Sequence, residues 1–389
     1  MLTCDAKSPN LPCGRSQLDH ASHPAGSVPA LERPSGWRAL ILAVVALTSP
    51  FQAGVAHAQE DSTPITLPRV AVSADVPLTK VAEYRMRMAR YSPAAVAVGD
   101  FIYIISGQTD TNDIITSIER FDPRTNASES FADLKQGRIW HGAVAVGESI
   151  YVFGGSVSDR SIVVRHEVVN GVFADDSVEI INLATRAVTP GPRMPVPRTQ
   201  FACVPFQGRI YLMGGKTQDR YSRSAITNSV AVLEVATGRW TEAARMPTPR
   251  QPAVAVVDGG FLIAAGGYNG TRAVDVVEVY DPRRDPWGSL PPLVTPRSAH
   301  SIVFAGESLF LFGDYGSPQE LLAYNLRSKR SEVFELGYTP ARHTAAVRLG
   351  DRIYVIGGKQ SRNAQPTDLI QVFAPAPSAR RSEATKSPP

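Results

Sequence analysis

The sequence predicts an all-β propeller of six four-stranded blades, and three observations point to it. A unit made of an arginine, a strand of small residues, a second apolar strand and a glycine-containing pair recurs six times between Arg90 and Gly358. The arginines are Arg90, Arg138, Arg198, Arg250, Arg297 and Arg342; the pairs are Ser106-Gly107, Gly154-Gly155, Gly214-Gly215, Gly266-Gly267, Gly313-Asp314 and Gly357-Gly358. Successive pairs stand 48, 60, 52, 47 and 44 residues apart, with strand patterns and no helical period between them. Repeats near fifty residues that read as short strands are the signature of radially arranged four-stranded sheets.

The fourth unit shows the order within a repeat. Strands are expected at 251–257, 261–265 and 274–280, with a short one near Trp287, and turn residues separate them. First strands are rich in small residues, such as Ala94, Ala95 and Ala97 or Gly142, Ala143 and Ala145, because innermost strands crowd around one axis. The glycine pair closes the second strand, where a missing Cβ permits positive φ or a close backbone approach. The last repeat supplies only three strands. Residues 78–88 precede Arg90 much as 238–248 precede Arg250, so an N-terminal strand is expected to complete the sixth blade and to cover its open edge.

These residues make the chain resemble the kelch family, whose repeats carry a glycine doublet, a tyrosine shortly before it and a later tryptophan. The doublet is intact in four of the six repeats. Tyr103, Tyr151, Tyr211 and Tyr354 stand four residues before the second pair member, Phe310 substitutes in the fifth repeat, and Trp240 and Trp287 hold the later position. The second repeat has Val188 nearby and no tryptophan, and the sixth is one residue shorter between arginine and pair. The resemblance covers roughly residues 78–374.

It implies that the start of each inner strand and the loop after each glycine pair share the face most used for ligands. The residues expected to line that face are Arg90, Tyr91, Arg138, Trp140, His141, Arg198, Arg250, Arg297, His300, Arg342 and His343. Guanidinium forks suit carboxylates and aromatic faces suit sugar rings. The same resemblance allows a structural role, in which arginine and histidine at these offsets tie strands together through backbone carbonyls. The longest excursions after a pair, 156–176 and 216–228, also fall here. The first is expected to form a hairpin from 162–164 and 168–169 around a turn near Asn170-Gly171.

Enzyme readings find few residues. The copper site of galactose oxidase, which shares this propeller type, needs a cysteine cross-linked to a tyrosine; Cys203 is the one candidate, and the next inner strand opens Arg250-Gln251-Pro252 with no tyrosine. A sugar-modifying enzyme of the sialic acid mutarotase type (N-acetylneuraminate epimerase) is the alternative to a binding module. It would need an acid and a base beside an arginine clamp, for which His141, His300, Glu167 and Arg138 are available. No Cys or His pair has metal-ligand spacing, so neither metal nor other cofactor is expected.

Ahead of the repeats, Trp37-Arg38, the apolar run 39–48 and Ala56-His57-Ala58 form the three parts of a secretory signal. The expected organisation is an N-terminal extension with signal peptide (1–58), a lead-in (59–77), the propeller (78–374) and a disordered tail (375–389). Cleavage after Ala58 removes Cys4 and Cys13 and leaves Cys203 alone, so no internal disulfide is available to the mature chain. The net charge is +4, with no run or stripe of Lys and Arg, which argues against nucleic acid and against stable membrane association after cleavage. The sequence therefore points to a periplasmic or secreted binding module for a carbohydrate, a glycoconjugate or an exported protein.

Overall fold

The computed structural model describes residues 78–375, apart from 160–162, 165–166, 169–170, 219–222, 252–254 and 335–336. The expected signal, the lead-in and the tail beyond Pro375 lie outside the described residues. Among those described there is no helix, and the chain is built from antiparallel strands.

Six sheets have four strands each. The first contains Ala94–Val98, Phe101–Ile105, Ser117–Asp122 and Ala127–Asp133. The second contains Gly142–Val146, Ser149–Phe153, Val178–Asn182 and Val188–Pro190. The third contains Ala202–Phe206, Arg209–Met213, Val230–Glu234 and Arg239–Ala243. The fourth runs from Ala255–Asp258 through Phe261–Ala265 and Val277–Tyr280 to Trp287–Leu290. The fifth runs from Ser301–Ala305 through Ser308–Phe312 and Leu321–Asn325 to Arg330–Phe334. In the sixth, Ala345–Leu349, Arg352–Ile356 and Leu369–Pro375 are joined by Leu78–Arg85, which pairs antiparallel with Leu369–Pro375. Each innermost strand adjoins that of the next sheet, and the sixth adjoins the first.

Packing follows from the two-residue period of a strand. In the first sheet Ile102 and Ile104 face one neighbour and pack with Tyr354, Ile356, Ile370 and Val372 of the sixth sheet. Tyr103 and Ile105 face the other and pack with Ile150 and Val152 of the second. Second strands are buried on both faces for this reason, and the core is divided into clusters between successive sheets.

The two long excursions form ladders of their own. Ser156–Asp159 pairs with Gly171–Ala174, and inside it Val163–Val164 pairs with Glu167–Val168. The expected turn near Asn170-Gly171 is corrected at Gly171, which pairs with Asp159 in the outer ladder, while Asn170 lies outside the described residues. Lys216–Gln218 pairs with Ser224–Ile226 and also with Arg198–Thr199, which ties this excursion to the start of an inner strand. The Ala174 amide donates to Gln218 Oε1 at 2.8 Å, linking the two excursions.

Candidate binding face

The arginines of the repeat do their work inside the sheets. Arg90 Nη1 donates to the carbonyls of Ser106 and Ser117, each at 3.1 Å, and Nη2 pairs with the Glu119 carboxylate. Arg138 repeats the pattern with Gly154 O at 2.8 Å, Asp175 at 3.1 Å and Glu179 at 2.7 Å. Arg250 reaches Gly266 O at 3.1 Å, Val276 O at 3.2 Å and Glu278. All three side chains are fully buried, and the guanidinium bolts the glycine pair to the third strand. The carboxylate is shared: Glu119 also accepts the Arg87 amide at 2.8 Å and Glu179 the Lys135 amide at 2.7 Å, so the lock fixes the chain that enters each repeat. Glu119, Glu179 and Glu278 are the functional partners that sequence reading passes over. The common signal is their place opposite Ile104, Val152 and Ala264, each three residues before the second pair member.

Backbone contacts join one sheet to the next. The amides of Gly107, Gly155, Gly215 and Gly267 donate to the carbonyls of Arg138, Arg198, Arg250 and Arg297, and Gly358 donates to Arg90, at 2.7–3.0 Å. Gly155, at φ 90°, would put a Cβ 2.7 Å from Ile139 O, so the doublet is required by geometry. Ser106 breaks the first doublet without breaking the joint, because its hydroxyl donates to Arg138 O at 2.8 Å and accepts the Arg138 amide at 2.7 Å.

The other copies depart from this plan. Arg198 has its carbonyl partners, Gly214 and Ser229, but Ala231 stands opposite Leu212 where the glutamate belongs. Arg297 pairs with Glu320 at 2.6 Å instead of a third-strand residue, and Asp314 caps the Ser298 amide at 2.8 Å. In the sixth repeat the lock position is Ala341, whose carbonyl faces Gly313 as that of Arg297 faces Gly266. Arg342 is one residue on, bridged to Lys359 as Tyr91 is to Gln108, so the alignment of Arg342 with the other five arginines is corrected by one position. The lock carboxylate is lost together with the arginine: Gln371 takes its place and bonds the Thr339 amide at 2.6 Å and its carbonyl at 3.0 Å.

Two residues after five of the lock positions, non-glycine residues adopt left-handed backbone: Ser92, Trp140, Gln200, Ala299 and His343, with φ of 52–55°; the corresponding position 252 of the fourth repeat lies outside the described residues. Their amides run from sheet to sheet, Ser92 to His343 O at 3.1 Å, Gln200 to Trp140 O at 2.9 Å and His343 to Ala299 O at 2.8 Å. Such strain in bulky residues survives only where surroundings over-determine it, and it collects at working surfaces.

Three of the expected site residues meet at this ring. Tyr91, Trp140 and His343 form a triangle, with ring centroids 6.1 Å apart for Tyr91–Trp140, 5.1 Å for Tyr91–His343 and 6.2 Å for Trp140–His343. The Lys359 ammonium lies 4.3 Å from the Tyr91 ring centre, and the Arg342 guanidinium 4.1 Å from that of Tyr315, which is 56% exposed. Among the described residues Arg342 makes no ion pair, and its Nη1 donates to the Tyr315 carbonyl at 3.4 Å. Burial lowers the pKa of Lys359, and the charges of Arg342 and Arg362 lower it further. Burial pushes the Tyr91 phenol up to about 12. This corner of the face is cationic and aromatic.

His141 and His300 are elsewhere. His141 is packed on Gly155 of its own sheet, with a pKa lowered to about 3 by burial and then by Arg138. His300 reaches back to the fourth sheet, its Nε2 3.1 Å from Ala265 O, and burial lowers it to about 4. They belong to different sheets, and the Nη donors of Arg138 are taken by Glu179, Asp175, Ser177 and carbonyls, so the acid, base and clamp of a mutarotase are not brought together by these residues. The side chain of Glu167 lies outside the described residues. Cys203 packs in the cluster between the second and third sheets, and burial raises its thiol pKa. Among the described residues no three His, Cys, Asp or Glu side chains converge on a point.

Comparison with known proteins agrees with this architecture. Residues 92–314, more than half of the chain, match the KLHDC2/KLHL20/DRC7 Kelch-repeats domain, and the chain belongs to the kelch-repeat family. Kelch-like protein 25 of Xenopus tropicalis is 26% identical over 200 residues, 48% of this chain and 33% of that protein. Kelch domain-containing protein 8B of Rattus norvegicus is 32% identical over 143 residues, 35% of this chain and 40% of that protein. Kelch-like protein terF of Aspergillus terreus is 27% identical over 198 residues, 46% of this chain and 42% of that protein. The chain thus matches about a third to two fifths of the length of these relatives.

Proposed function

We propose that the protein is an exported binding module that holds a protein partner or a glycoconjugate on the face where its inner strands begin, at the corner formed by Tyr91, Trp140, Tyr315, Arg342, His343 and Lys359. The observation that carries the reading is the aromatic triangle beside two cations that lack a carboxylate, in the one repeat whose lock has been removed. Membership of a repeat family whose propellers serve as binding modules supports a protein as the partner, and the sequence of residues 37–58 supports export. The other arginines of the face act as scaffold in this reading: through their Nη donors they hold the ring that presents the corner.

Arrays of glycans and of peptides probed with the full chain test this. Signals should fall at least about tenfold in Trp140→Ala and Arg342→Ala, equivalent to about 1.4 kcal/mol, and persist in Glu332→Ala on an outer strand. Signals that survive both corner substitutions would move the site elsewhere.

A further inference from the structure

The third sheet contains a lock with its carboxylates missing. Arg198 is 4% exposed and makes the usual bonds to Gly214 O at 2.9 Å and Ser229 O at 3.0 Å. Its Nη2 donates to Ser229 Oγ at 2.8 Å. In the first, second and fourth sheets the same nitrogen also holds Glu119, Glu179 or Glu278; here the equivalent residue is Ala231. Asp175, the second carboxylate of Arg138, is likewise replaced by Thr227, which donates to Ser229 Oγ at 3.0 Å. Among the described residues Arg198 has no ion pair, and Ser229 accepts two hydrogen bonds while its own hydroxyl proton goes to no acceptor.

Beside Ala231, where the other locks have a glutamate, lies a cavity of about 320 Å³ whose lining includes Arg198, Ser229, Val196, Trp240 and Glu242. It shares no lining residue with the Tyr91–Trp140–His343 corner. Val196 is 43% exposed, and Glu242, paired in register with Ala231, lies on the exposed outer strand. A buried guanidinium, an uncommitted hydroxyl donor, an apolar wall and one acid at the entrance define a complementary molecule.

We propose that this cavity binds a small zwitterion of the apolar α-amino acid class. Its carboxylate takes the place of the missing glutamate against Arg198 Nη2 and Ser229 Oγ, its ammonium faces Glu242, and its apolar side chain lies on Trp240 and Val196.

Calorimetric titration of the full chain with leucine, 4-methylpentanoate (no ammonium) and 3-methylbutylamine (no carboxylate) tests it. Leucine should bind in the millimolar range or tighter, 4-methylpentanoate about tenfold more weakly, and the amine still more weakly. Ala231→Glu, which supplies the missing carboxylate from the protein, should abolish leucine binding and raise the thermal midpoint. Ala231→Leu fills the same space without charge and should abolish binding too, so the result does not depend on one variant folding. Glu242→Gln should bring leucine down to the level of 4-methylpentanoate. No leucine binding at millimolar concentration, binding that survives both Ala231 variants, or an amine that binds as well as leucine would overturn the proposal. Equal binding of leucine and 4-methylpentanoate would overturn the role of Glu242.

Discussion

The second and third sheets are built to one plan and end in opposite electrostatic states. Arg138 is held by Glu179 at 2.7 Å and Asp175 at 3.1 Å, whereas Arg198, at the same place with the same carbonyl partners, has neither carboxylate. Burial lowers the Arg198 pKa to about 10, opposed by the charge of Glu242 on the neighbouring outer strand. The sixth sheet shows a third outcome, because Ala341 and Gln371 remove cation and anion together and leave a neutral joint. A buried pair can be deleted whole without leaving a charge behind; deleted by half, it leaves a charge that needs a partner.

The largest expected effect comes from converting a complete lock into a half lock. Glu278→Ala strands Arg250, whose ion pairing among the described residues rests on that carboxylate, and should destabilise the protein by about 3–5 kcal/mol in urea unfolding. A loss under about 1 kcal/mol would break the contrast between the fourth and third sheets. A smaller effect tests the sixth sheet. Gln371→Glu buries an acid with no guanidinium opposite and should cost about 1–3 kcal/mol. Adding Ala341→Arg to it should recover the loss, and a double variant no better than the single would mean that the joint is not modular.

The smallest effect per residue is that of pH. His141 and His343 are lowered to about 3 and His300 to about 4, in each case first by burial, so all three are neutral when folded at pH 5–7. Their neighbours include Arg138 for His141, Arg342 and Lys359 for His343, and Asp314 and Arg297 for His300. The unfolded histidines titrate near 6.5, so below that pH the unfolded chain binds protons that the folded chain does not. Stability should be flat above about pH 6.5 and fall below it, by on the order of 1 kcal/mol per histidine per pH unit. His141→Gln should make the slope between pH 6 and 4 shallower, as read from urea midpoints.

The fold was legible because it is written in the backbone. A glycine pair needed for positive φ, small residues on inner strands and apolar second strands such as Phe101–Ile105 all recur with the period of the sheets. The site was legible only in part. Of the expected residues, the rings of Tyr91, Trp140 and His343 come together, but side chains at one repeated position can point inward or outward, and spacing alone does not say which. Glu119, Glu179 and Glu278 each look like an ordinary polar residue in an alternating strand, and loops of unequal length place them 29, 41 and 28 residues after Arg90, Arg138 and Arg250, so no fixed spacing marks them. The slip at Arg342 shows in the sequence only as a spacing one residue short, and the Ala341 carbonyl against Gly313 and the bridge from Arg342 to Lys359 fix its register.

The most direct test compares Arg90→Ala with Arg342→Ala in the same thermal and urea unfolding series. Arg90→Ala leaves Glu119 buried without its guanidinium and should lose about 3–5 kcal/mol, whereas Arg342→Ala gives up its stacking on Tyr315 and a long hydrogen bond to the Tyr315 carbonyl and should lose about 1–2 kcal/mol or less. Equal losses, or a greater loss at Arg342, would contradict the division of the face into structural arginines and a corner free to bind.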